Sequence, residues 1–123
     1  MQIEMPERRT GLNFYITHIN ATGNEEKYLL TANYHPKTGQ LLEVFCANPM
    51  TGSDMEAILT DGCILISLCL QWGVPLERIA DILSERRPER GTKGPAASPI
   101  GAIAKGLLKL DKELRDETKE KKA

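Results

Sequence analysis

The chain is poor in the residues that most often carry chemistry. Its 123 residues include two histidines, three cysteines, one tryptophan and only 5% aromatics. Cys46, Cys63 and Cys69 are odd in number, lie in apolar runs and form no CxxC pair, so neither a disulfide framework nor a zinc ribbon is expected. On a helix, positions 63 and 69 point about 240° apart, a poor geometry for joint ligation of one metal. All three thiols are expected to be free and packed as small hydrophobes, and no metal or cofactor is expected.

Charge of one sign is lacking too. Sixteen Lys and Arg against seventeen Asp and Glu leave a net charge of -1, which gives no global pull toward nucleic acid or anionic membrane. Any electrostatic function must come from a local patch. No apolar run reaches the roughly 20 residues of a membrane span. The longest, 63–76, is interrupted by Gln71, Gly73 and Pro75. The polar N-terminus has no apolar signal core, and a soluble, cytoplasmic protein is expected. Motifs of the HExxH, G-x-S-x-G and GxxxxGK[ST] types are missing. His18 and His35, without a nucleophile motif nearby, read as surface histidines, and Asp54, Glu56 and Asp61 as helix-start carboxylates rather than a metal site.

What is present is a legible order of elements. Residues 1–10 read as a flexible arm. Residues 12–19 and 28–34 read as strands, joined by turn chemistry at Asn20, Gly23 and Asn24. Pro36-Lys-Thr-Gly39 turns the chain into a third strand over 40–47, antiparallel to the second. Ser53 with Glu56 three residues later predicts a capped helix over about 55–72, closed by Gly73 and followed by a short helix from Pro75 to Leu83. Between Cys63 and Leu70 only Ser67 interrupts the apolar residues, so this helix needs cover all round. The sheet is expected on one side, and the later helices or a second subunit on the other. Trp72 is expected in the core. Ser98-Pro99 restarts a helix whose packed stripe runs through Ile100, Ile103, Ala104, Leu107, Leu110 or Asp111, and Leu114. These features predict one α+β domain over 11–110, a three-stranded or slightly larger antiparallel sheet with two to three helices packed on one face, and a charged helical end at 111–123.

The segment 84–99 is the one stretch with a functional pattern of its own. Arg86, Arg87, Arg90 and Lys93 stand among Pro88, Gly91, Gly94 and Pro95, diluted by Glu85 and Glu89. Cations and backbone amides in such a loop can meet phosphate or a protein partner, and no interleaved aromatics suggest base stacking.

Several stretches in a fixed order resemble the TSCPD domain over roughly residues 5–110. They are Met5-Pro-Glu-Arg-Arg9, Leu42-Glu-Val-Phe-Cys46, Gly52-Ser53-Asp54, Ser67-Leu-Cys-Leu-Gln-Trp-Gly-Val-Pro-Leu-Glu-Arg-Ile79 and Ala102-Ile-Ala-Lys-Gly-Leu107. The resemblance implies a domain found at the C-terminus of adenosylcobalamin-dependent ribonucleotide reductases and as short free-standing proteins. Its name-giving Thr-Ser-Cys-Pro-Asp motif is missing, because the corresponding stretches read Arg87-Pro88 and Ala97-Ser98-Pro99-Ile100-Gly101. Pro49-Met50 also stands where the family often has Gly-Lys. No thiol or metal role of that loop therefore transfers. The reductase active site belongs to a large barrel that 123 residues cannot contain.

Three readings of function follow. The first is a non-catalytic TSCPD-like accessory module whose partner is a reductase, a nucleotide or another protein. The second is a small nucleic-acid-binding protein using the basic loop on phosphate. The third is a homo-oligomeric structural module sharing the apolar helix between subunits.

Overall fold

A computed structural model describes residues 2–5, 10–47, 53–86 and 94–122. Strand β1 (Thr10–Ile19) turns through Asn20–Asn24 into β2 (Glu25–Tyr34). Asn20 fastens that turn, its side-chain oxygen accepting from the Thr22 and Asn24 amides at 3.1 and 3.0 Å. At the next turn His35 serves the same purpose, Nδ1 accepting from the Lys37 and Thr38 amides at 3.2 and 3.4 Å. Strand β3 (Leu41–Cys46) returns antiparallel to β2, with a bulge at Asn33/Tyr34, and the sheet order is β1-β2-β3.

One face of the sheet carries Ile16 and His18 from β1, Tyr28, Leu30, Ala32 and Tyr34 from β2, and Val44 from β3, all buried. Three helices supply the other side of the core: α1 (Asp54–Gln71), α2 (Leu76–Ile82) and α3 (Pro99–Lys122). The expected α+β architecture is therefore present. Leu30, Leu42, Val44, Leu59, Cys63, Ile103 and Leu107 are its best-buried side chains. Two glycines let α3 approach closely: a Cβ on Gly106 would lie 2.5 Å from Ile16 Cγ2, and one on Gly62 would strike the end of the Ile100 side chain. In the stripe of α3, Asp111 is buried and pairs with Arg115 at 3.1 Å, while Leu110 is half-buried.

The local signals of α1 work as read. Ser53 Oγ accepts from the Glu56 amide at 3.0 Å. Gly73 takes φ +88°, with the Gly73 amide on Leu70 O at 3.1 Å and the Val74 amide on Cys69 O at 2.9 Å, the paired bonds of a Schellman closure. Ser67, the single polar residue of the apolar run, has a tertiary purpose. Its buried hydroxyl accepts from the Val44 amide at 3.0 Å and donates to Cys63 O at 2.8 Å. Gln71 Nε2 donates to Leu42 O at 3.3 Å. Val44 and Leu42 lie on the outer edge of β3, so α1 hydrogen-bonds the strand edge that would otherwise be a template for association.

One expectation about α1 needs correction and another is narrowed. The described later helices do not cover the second side of α1: Ile58, Ile64, Leu65 and Leu68 are exposed within the chain. Trp72 is also outside the core, with 56% of its surface accessible. The buried residues Leu59, Cys63, Ile66, Ser67 and Leu70 occupy one face, and at 100° per residue the exposed set lies roughly 180° away. Sheet and α3 cover the first face and leave the second bare.

Candidate functional site

The two described ends of the basic segment are fastened to each other and to α3. The Ala97 amide donates to Ser84 O at 2.9 Å and the Arg86 amide to Pro95 O at 2.8 Å, flanking an antiparallel bridge between Glu85 and Ala96. The Glu85 carboxylate, only 4% exposed, accepts from the Gly94 amide at 3.1 Å and from Lys105 Nζ of α3 at 2.9 Å. Lys105 also donates to Gly94 O at 3.2 Å. A cation of α3 thus joins both stems, and a buried carboxylate so held has the partners that its desolvation demands.

Of the four candidate cations, Arg86 is placed and Arg87, Arg90 and Lys93 lie outside the described residues. Arg86 Nη1 donates to Ile19 O at 2.7 Å and Asn20 O at 2.8 Å, and Nη2 reaches Ala97 O at 3.5 Å. The planar fork of a guanidinium suits such convergent acceptors. This side chain ties the loop base to the end of β1, and its donors are directed at the protein's own backbone.

Next to that base runs a groove of about 590 Å³ between β1 and α3, lined by Phe14, Ile16, His18, Ala96, Lys105 and Leu110 among others. β1 is the second edge of the sheet. Among the described residues it is hydrogen-bonded beyond β2 only at its end, by Arg86. His18 was expected on the surface and is instead 4% exposed, on the inner face of β1. Burial lowers its pKa, the nearby Arg86 charge lowers it further, and Glu26 opposes both. The alternation Phe14, Ile16, His18 carried the signal for this placement, since every second residue of a strand shares a face.

The thiols are free. Cys63 is buried and its pKa is pushed up to about 11, chiefly by burial and then by the neighbouring Cys46, which disfavours the reactive thiolate. Cys46 and Cys69 are half-buried. Among the described residues no three His, Cys, Asp or Glu side chains stand together as metal ligands, and no helix is long and apolar enough to cross a membrane.

These features define a small α+β domain with a fastened basic loop beside an open strand edge. The TSCPD domain family model matches residues 3–110, and the chain belongs to that family. It is similar to a vitamin B12-dependent ribonucleotide reductase of Bradyrhizobium diazoefficiens, with 33% identity over 86 residues. That stretch is 70% of this chain and 6% of the reductase, so the chain corresponds to a small part of its relative. No solved structure matches.

Proposed function

We propose that the protein is a non-catalytic accessory module that docks on a ribonucleotide reductase or a related enzyme of deoxynucleotide metabolism. The match to a segment of a vitamin B12-dependent ribonucleotide reductase carries the link to that enzyme. The fastened base at Ser84 and Ala97 supports the loop 84–99 as the docking element, with Arg87, Arg90 and Lys93 as its contacts. Arg86 positions that loop.

The test is binding of the purified chain to a B12-dependent ribonucleotide reductase, followed by Arg87→Glu with Arg90→Glu. Saturable binding that the double reversal weakens at least tenfold is the expected result, about 1.4 kcal/mol or more. Failure to bind the reductase would end the reductase as the partner. Salt-sensitive binding to labelled DNA or RNA in its place would favour phosphate recognition by the same cations.

A further inference from the structure

We propose that the bare stripe of α1 is a self-association surface, on which two copies pack α1 against α1 in antiparallel orientation. Ile58, Leu65 and Trp72 recur every seven residues and are 53%, 61% and 56% exposed. Asp61 and Leu68 fall between them at the alternating three- and four-residue spacing of a helix–helix seam, and Ile64, 54% exposed, flanks it. This stripe lies on the side of α1 away from its buried face, so it needs no rearrangement of the domain to meet a partner.

Five large side chains about half exposed present on the order of 500 Å² of apolar surface, at the upper end of what monomers leave in one patch. That is less than the roughly 800 Å² per partner of a standard interface and suits a reversible dimer in the micromolar range.

The single charge in the seam selects the orientation. Parallel, in-register helices would set Asp61 against Asp61 of the second copy in apolar surroundings, which is costly. An antiparallel pair about an axis between Leu65 and Leu68 interdigitates those leucines and sets each Asp61 opposite Trp72 of the other copy. The indole N–H is a donor without acceptor capacity, and the carboxylate is an acceptor. The two Asp61 then stand about 16 Å apart along the helix axis. The seam is self-complementary in this register, with leucine on leucine at the centre and donor on acceptor at both ends. That complementarity favours a second copy over an unrelated apolar partner.

The test uses the intact chain. Trp72 is its only tryptophan and lies in the seam, so its emission reports the contact directly. Sedimentation equilibrium across the micromolar range is expected to show a monomer–dimer equilibrium, with Trp72 emission shifting to the blue as dimer forms. Leu65→Glu, at an exposed position, is expected to give monomer with unchanged circular dichroism and red-shifted emission. A wild-type chain that stays monomeric throughout, or a Leu65→Glu chain that still dimerises, overturns the proposal. So does a monomer whose reductase binding is lost with Leu65→Glu, because the stripe would then belong to that enzyme. Mixing wild type with Asp61→Lys tests orientation in native mass spectra. The antiparallel register predicts a statistical mixture, whereas strong preference for the mixed dimer would mean that positions 61 face each other and would refute it.

Discussion

Arg86→Ala separates a structural tie from a ligand-binding cation. The substitution removes two short bonds, to Ile19 O and Asn20 O at 2.7 and 2.8 Å, and a marginal one to Ala97 O at 3.5 Å. Hydrogen bonds to a charged donor are each worth about 1.5–3 kcal/mol, and water can reach part of this site, so the expected loss is about 2–3 kcal/mol. With a urea dependence of about 1–3 kcal/mol per molar, the unfolding midpoint should fall by roughly 1–2 M. Arg86→Lys should recover only part of this, because an ammonium cannot place two N–H groups in a fixed fork. A second readout comes from His18, whose pKa Arg86 lowers together with burial. A histidine with a depressed folded pKa contributes stability that is present above about pH 6.5 and is lost as pH falls through the folded value. Removing Arg86 should raise the His18 pKa by NMR titration and flatten that pH dependence. A stability loss under about 0.5 kcal/mol with an unmoved His18 would refute the tie and leave the guanidinium available to a ligand.

Four further outcomes follow from the packing. Ser67→Ala should cost about 1–2 kcal/mol in denaturant unfolding, because the Val44 amide at the β3 edge loses its buried acceptor. Gly106→Ala should destabilise by about 1–2 kcal/mol despite its better helix propensity, since Ile16 Cγ2 sits 2.5 Å from the new methyl on a fixed strand. Gly62→Ala should destabilise by the same measurement, because the new methyl would meet Cγ1 and Cγ2 as well as Cδ1 of the β-branched Ile100. Tyr34→Phe should be neutral or stabilising by up to about 1 kcal/mol, because the buried Tyr34 hydroxyl has no hydrogen-bond partner among the described residues. Burial, then Asp111, pushes the Tyr34 pKa up to about 12, with Arg115 opposing. Its contribution is complete below about pH 10, where the unfolded phenol titrates, and is lost between there and about 12. The Phe variant should therefore unfold less steeply with alkali.

Local chemistry was the legible part. The Ser53 cap, the Gly73-Val74-Pro75 closure and the Pro36–Gly39 turn each depend on neighbours within a few residues, and each fixes an end of an element. The TSCPD pattern was legible as well, without its name-giving motif, because it rests on order and spacing. His18 and Trp72 went astray for a different reason. Both were judged by residue type, although the parity of β1 and the seven-residue recurrence 58, 65, 72 already assigned their faces. Arg86 and Ser67 could not be read at all. The Ile19 carbonyl that Arg86 reaches lies 67 residues away and the Val44 amide that Ser67 accepts from lies 23 away, and only the folded chain brings them together.

The bridge between Glu85 and Ala96 has one more consequence. Because the stems are laced to each other and to Lys105, the ends of the intervening stretch stay together whatever lies between them. Doubling its length would add only about 0.6 kcal/mol of closure entropy. The domain therefore offers a mounting point. Foreign sequences spliced between residues 87 and 93 should be carried without disturbing the sheet or its helices.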